Sequence, residues 1–205
     1  MPLAQSLSLP HGLLTESAVH LCIDVQRMFA EQTAWHVPWM KRVVPVILRI
    51  ARAFPARTMF TRFIPPMRAA EARGKWQHYY QRWGEFTGER LPPQLLALLP
   101  ELLELIPPAQ VVDKHFYSPF AEPQLHRNLQ DRGIDSVVIS GGETDVCVLA
   151  AVLDAVDLGY RVVVVSDALC SVSDEAHDNL LRLFSERFQQ QIEVASSERI
   201  LEAWV

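Results

Sequence analysis

A three-layer α/β/α domain on a mostly parallel six-stranded sheet is the fold class that this 205-residue sequence predicts. Three observations predict it. Six short apolar runs recur along the chain, and amphipathic patterns of helical period lie between them, as in βαβ units around a parallel sheet. Gly133 and Gly159 each sit where a helical pattern gives way to an apolar run. Glycine adopts a left-handed helix-ending conformation there at little cost.

The elements follow in chain order. AVHLCID, Ala18 to Asp24, is the first strand, an apolar run that closes on a carboxylate. A helix is expected from Trp39 to Phe54, although Pro45 inside it predicts a kink or a late start. ARTMFTR, Ala56 to Arg62, is the second strand. AQVVDK, Ala109 to Lys114, is the third, followed by a helical pattern over Ala121 to Arg132. DSVVISG, Asp135 to Gly141, is the fourth strand and leads into a helix from Asp145 to Leu158. YRVVVVSD, Tyr160 to Asp167, a helix over Ser173 to Phe188 and the strand QIEVAS, Gln191 to Ser196, complete the set.

Residues 63 to 108 break this rhythm with half of the 14 prolines and a cluster of aromatics. The segment is too long for an ordinary connection and carries a helical pattern around Pro93 to Leu105. Long excursions past a strand's carboxyl end supply lids and pocket walls in α/β proteins. We read residues 1 to 205 as one domain with a lid-like insertion at about 63–108, with no repeat and no second unit. Packing of the same aromatics onto the scaffold or a partner subunit is the plainer alternative.

Composition narrows the function. The chain is 49% hydrophobic and 21% charged, within the range of one globular domain. Its net charge of −5 and pI near 5.8 disfavour nucleic acid and anionic membrane as partners. No apolar run approaches the ~20 residues of a membrane span. The N-terminal stretch MPLAQSLSLPHGLL reads as a mature arm and not a signal peptide, because it lacks a basic start and a continuous apolar core. Three cysteines without CxxC spacing point to a reducing, cytoplasmic setting.

Asp24, Lys114 and Cys147 each fall at or just past the carboxyl end of an expected strand. In an open parallel sheet those ends share one edge, so the three can converge in one crevice. Val146, Leu149, Ala150, Leu153 and Val156 recur at helical spacing and put Cys147 in a first helical turn. Free amides and the helix dipole favour a thiolate there, and a nearby Lys114 would lower the thiol pKa further. Asp24 could then take the thiol proton and return it to a leaving amine. Each residue also has an ordinary reading: a core cysteine, a turn-capping aspartate and a solvated strand-end lysine.

The chain resembles the isochorismatase-like cysteine hydrolase superfamily, which includes nicotinamidases, N-carbamoylsarcosine amidase and ureido-hydrolases. IDVQRMF (Ile23 to Phe29), DKHFYSPF (Asp113 to Phe120) and GGETDVCVLAAVLDAVDLGYRVVVVSDA (Gly141 to Ala168) carry the resemblance, with DEAH (Asp174 to His177) a weaker fourth match. It implies a catalytic triad of Asp24, Lys114 and Cys147. It also implies a non-proline cis peptide at Gly142-Glu143, with an oxyanion hole formed by the amides of Glu143 and Cys147. Gln26 and Phe29 would orient the aspartate or line the pocket, or else pack locally.

Two departures stand out. Nicotinamidases carry an Asp-x-His pair after the second strand to hold a metal, whereas this chain reads TRFIPP, Thr61 to Pro66. His78 and His115 read as surface or loop residues, so we expect a site with no metal and no cofactor, and nicotinamide is not the expected substrate. The second is Glu143, where the family commonly has small or neutral residues. Its side chain is expected to face away and cap the next helix; facing the pocket, it would favour cations or amide N–H groups and repel carboxylates.

The expected function is hydrolysis of a C–N bond in a small amide or ureido compound through a covalent thioester. Pocket walls are expected from Phe29, Phe63, Trp83, Phe116 and Tyr117, and Arg62 could read a substrate carboxylate or simply be exposed. The resemblance implies a homo-oligomer, a dimer or tetramer. Two alternatives remain: vinyl-ether hydrolysis of an isochorismate-like substrate, which can dispense with the thiol, and a non-catalytic binding or scaffold protein that keeps the fold.

Overall fold

The computed structural model describes residues 9–205, so the first eight residues of the expected N-terminal arm lie outside the described residues. Six strands form one sheet, and every pairing is parallel. They are β1 (Ala18–Ile23), β2 (Thr58–Phe63), β3 (Gln110–Lys114), β4 (Ser136–Gly142), β5 (Arg161–Cys170) and β6 (Ile192–Ala195), in the spatial order 3-2-1-4-5-6. In this order the chain leaves β1 in one direction for β2 and β3 and in the other for β4 to β6. The carboxyl ends of β1 and β4 therefore flank the crevice where such sheets bind ligands.

The helices complete three layers. They are α1 (Arg27–Ala30), α2 (Met40–Ala53), α3 (Lys75–Arg82), α4 (Pro100–Leu103), α5 (Pro123–Asp131), α6 (Leu149–Asp157), α7 (Asp174–Glu186) and α8 (Ser197–Ala203). Side chains alternate across a strand, so β1 sends Ala18 and Cys22 to one face, where they meet Ile47 and Ile50 of α2 and Ile200 of α8. Val19, Leu21 and Ile23 point the other way, among Leu125 and Leu129 of α5, Ala151 and Val152 of α6 and Phe184 of α7. All-parallel pairing requires helices on both faces, and both faces are covered.

Element boundaries shift by a few residues. β2 begins at Thr58, not Ala56, because Pro55–Arg57 form a 3₁₀ turn. β5 runs on to Cys170, past the expected end at Asp167. The late start is corrected: α2 begins at Met40 and continues through Pro45 to Ala53. Pro45 lies on the exposed face, where water can satisfy the Lys41 carbonyl that its missing N–H leaves free. Gly133 (φ +67°) and Gly159 (φ +86°) end α5 and α6 in the expected left-handed conformation.

The largest correction lies in residues 63–108. No helix spans Pro93 to Leu105; a 3₁₀ turn at Pro93–Leu96 and the single turn α4 replace it. Pro100 forces Leu99 into an extended conformation (ψ 145°) and interrupts the pattern. The leucines are still buried: Leu98, Leu99 and Leu102 join the core on the α2 side, and the Leu99 amide donates to the Val25 carbonyl. A small third core of Met28, Phe63, Tyr80, Phe86 and Leu91 holds the rest of the segment against the end of β2.

Candidate active site

β1 ends at Ile23, and Asp24 turns the chain with φ +51°, the only non-glycine residue at positive φ among the described residues. A short carboxylate tolerates this conformation better than most side chains. Thr61 of β2 fixes it from both sides, accepting the Asp24 amide at 3.0 Å and donating to Asp24 Oδ1 at 2.6 Å. Beside this turn, β1 and β4 approach so closely that a Cβ on Gly141 (φ +102°) would lie 2.1 Å from the Ile23 carbonyl oxygen. Only glycine fits there.

Lys114 enters from the edge strand β3 and reaches over β2 toward β1. Its Nζ lies 4.9 Å from the Phe63 ring centroid, donates to the Phe116 carbonyl at 3.0 Å and sits 2.7 Å from Asp24 Oδ2. The contact is an ion pair between two buried groups. Lys114 Nζ also lies 3.5 Å from Cys147 Sγ. Asp24, Lys114 and Cys147 thus form one buried cluster, with exposures of 1%, 0% and 8%.

Cys147 does not sit in the first turn of an α-helix as expected. It lies in a π-helical turn, Thr144–Val148, that precedes α6. The Glu143 carbonyl accepts the amides of Val146 and Val148, at 3.1 and 3.0 Å, and passes over that of Cys147. The Gly142-Glu143 peptide is cis, at the bond the resemblance implies.

The expected low thiol pKa is also corrected. Burial pushes the Cys147 thiol well above its ordinary range; Lys114 pulls it down, but Asp24 opposes that by its charge and by a hydrogen bond. Burial works against the Lys114 ammonium, yet its pKa is raised, with the charge of Asp24 the largest cause of the rise. The resting thiol is therefore neutral, beside a Lys114 ammonium that keeps its charge.

A cavity of about 140 Å³ opens onto Cys147. Phe29, Phe63, Trp83 and Tyr117 line it as expected, together with Trp35 and Tyr79, which sequence reasoning missed. Trp35 is central to this wall, stacked on Phe86 at 3.7 Å and within 6.2 Å of Phe29, Phe63, Tyr79 and Trp83. A larger cavity of about 510 Å³, near Trp39, Asp167 and His177, touches none of the three clustered residues.

The structure places the remaining candidates elsewhere. Gln26 is fully buried and does not line the cavity; its amide accepts from Phe63 N at 2.6 Å and donates to the Phe63 and Leu96 carbonyls. That amide clamps the chain after Asp24 to the end of β2. Phe116 faces a neighbouring cavity with Arg73 and Trp76 and contributes only its carbonyl, to Lys114. Arg62 is held by Asp113 through two bonds of 2.7 and 2.8 Å. His78 and His115 are exposed.

Glu143 departs from its expected orientation. It makes no helix-capping bond; instead it lines the cavity, with Oε2 accepting from the Val172 amide at 3.1 Å. Two amides of the π turn, those of Val146 and Val148, bond to the Glu143 carbonyl and not to its side chain.

Among the described residues no group of three or more His, Cys, Asp or Glu side chains could hold a metal ion. Thr61 to Pro66 supply no carboxylate or imidazole, so the residues present do not fit a metal of the nicotinamidase kind. No helix among the described residues is long and apolar enough to cross a membrane.

Comparisons with known proteins bear on the family and the fold. Residues 18–197 match the family model described as the isochorismatase domain. The chain is 28% identical over 164 residues to an Arabidopsis thaliana protein named a probable inactive nicotinamidase, covering 77% of this chain and 82% of that one. A cysteine hydrolase from Pseudomonas syringae pv. phaseolicola superposes with a TM-score of 0.80 at 20% identity, over 92% of each chain. N-carbamoylsarcosine amidase from Thermoplasma acidophilum does so with a TM-score of 0.68 at 21% identity, over 88% of this chain and 96% of that one. At such identities the structural likeness speaks to the fold.

Proposed function

The chain belongs to the isochorismatase family of hydrolases, and from that premise we propose that it hydrolyses a C–N bond in a small amide or ureido compound with Cys147 as nucleophile. The observation that carries this reading is the buried cluster in which Lys114 Nζ lies 2.7 Å from Asp24 Oδ2 and 3.5 Å from Cys147 Sγ, beside the aromatic cavity.

In this reading the thiol stays protonated until substrate arrives, because burial disfavours a lone thiolate. As the carbonyl settles against sulfur, Asp24 accepts the thiol proton and Sγ adds to the carbon. Lys114 balances the charge passing between Asp24 and Cys147. The amides of Glu143 and Cys147 donate to the oxyanion. Collapse of the tetrahedral intermediate breaks the C–N bond, and Asp24 returns its proton to the departing ammonia or amine. Water, deprotonated by the same carboxylate, then attacks the thioester; the acid leaves and Cys147 regains its proton. The chain's own side chains and backbone amides supply all of this chemistry, and the reading assigns no cofactor.

Two further parts belong to the proposal. Residues 63–108 serve as a lid that excludes water from the thioester, since Phe63, Tyr79 and Trp83 wall the cavity. The protein acts in the cytoplasm as a homo-oligomer.

An ammonia-release screen over small amides, carbamoyl amino acids, biuret-like compounds and nicotinamide tests the reading. Cys147→Ala should lose on the order of 10³-fold or more in kcat/KM while remaining folded by circular dichroism. Full turnover by Cys147→Ala would rule out the thioester and leave acid catalysis by Asp24, as in vinyl-ether hydrolysis. The Arabidopsis relative's name supports a second, non-catalytic reading, which silence of the wild type across the whole screen would favour.

A further inference from the structure

We infer that the cavity selects substrates whose non-reacting end carries a positive charge, an ammonium or alkylated ammonium, with Glu143 as the specificity-determining residue. The inference rests on the hydrolase reading for the word substrate, but its binding part stands on the cavity alone.

Glu143 lines the same cavity as Cys147, and its carboxyl is only half satisfied by protein: Oε2 accepts from the Val172 amide. Among the described residues it forms no ion pair. Burial raises its pKa, the Val172 amide lowers it, Asp145 raises it again, and no cation contributes. A carboxylate left partly desolvated without a counter-charge gains most from a ligand that brings one.

The opposite walls are aromatic. Phe29, Trp35, Phe63, Tyr79, Trp83 and Tyr117 face the cavity, and among the described residues no Lys or Arg lines it. Tyr79 and Tyr117 line the cavity together with Cys147 and Glu143. Ring faces attract ammonium groups, alkylated ones above all. The one ammonium nearby, Lys114, is already matched by Asp24. With the thiol neutral, a monocation would balance the remaining charge of Glu143. A substrate carboxylate would meet Glu143 and find no basic partner, since Arg62 is taken by Asp113.

The test compares three amides of similar shape: trimethylammonioacetamide, its neutral isostere 3,3-dimethylbutanamide, and the anionic succinamate. In the wild type kcat/KM should follow cation over neutral over anion, with the cation ahead by about tenfold or more. Glu143→Gln should reduce the cation-to-neutral ratio by about tenfold, acting mainly through KM. A binding readout separates the two proposals: tetramethylammonium, but not acetate, should protect wild-type Cys147 from iodoacetamide. Glu143→Gln should weaken that protection.

Protection without turnover of any amide would uphold the cation site and overturn the hydrolase reading. Turnover that ignores charge, or favours the anion, would overturn the cation site and leave the hydrolase reading intact. Equal protection by both ions would also overturn it, with no dependence on whether the variant folds.

Discussion

Lys114 sits where a lysine is seldom found, fully buried and beyond the reach of solvent. Its ammonium is tolerable there because Asp24 lies 2.7 Å away and the Phe116 carbonyl accepts from it. Removing one partner of such a pair strands the other charge, a loss of about 3–5 kcal/mol, whereas removing both leaves no charge to desolvate. Lys114→Met should therefore destabilise the protein by that amount in urea unfolding, and Asp24→Asn with Lys114→Met should recover much of it. A double variant no more stable than the single one would show that Asp24 is not held by this charge. Asp24, Lys114 and Cys147 were legible as candidates because each ends or follows an apolar run, and strand ends share an edge. Their neighbours were not. In sequence, a clamping amide such as Gln26 looks the same as a pocket amide, and Trp35 lies in a loop with no periodicity. The orientation of Glu143 depends on a π turn that no residue pattern announces.

Among the elements, α2 carries a proline in its second turn and continues past it, with the affected face solvated. The opposite face buries Val43, Val44, Ile47 and Ile50 against the sheet, and that burial outweighs the missing bond. An interior proline costs a helix about 3 kcal/mol, partly offset by the stiffer unfolded chain, worth about 0.4–1 kcal/mol. Pro45→Ala should accordingly stabilise the protein by about 2–2.6 kcal/mol, seen as a higher urea midpoint with an unchanged slope. A lower midpoint would mean that the proline sets the helix direction. The same physics explains which elements could be read beforehand. All six strands and the four longer helices announced themselves by runs and periods. Residues 93–105 have a helical period but contain Pro100, and there the proline prevailed because the interrupted chain still buries Leu98, Leu99 and Leu102.

For the whole molecule, the order 3-2-1-4-5-6 makes β1 the central strand from which the two halves diverge, and His20 lies in its middle. The imidazole is fully buried, with Nε2 2.7 Å from Ser140 Oγ of β4 and Nδ1 3.4 Å from Thr58 Oγ1 of β2. No carboxylate pairs with it among the described residues, so burial alone depresses its pKa from 6.5 to about 3. The native state holds it neutral, while the unfolded chain takes up a proton below the ordinary value. The unfolded state thus binds more protons between pH 6.5 and about 3, and stability must fall with falling pH across that window. The full contribution of this group is roughly 4–5 kcal/mol, at about 1.4 kcal/mol per pH unit. Unfolding free energies of the wild type and of His20→Asn, measured by urea across that range, isolate it from the carboxylates, which titrate in both. The wild-type curve should drop toward the variant's as pH decreases, and the gap should shrink by about 1.4 kcal/mol per unit below the unperturbed pKa. Parallel curves would mean that protonated His20 is accommodated within the sheet. In that case the seam joining the two halves is looser than its hydrogen bonds imply, and the crevice above it could widen with acid.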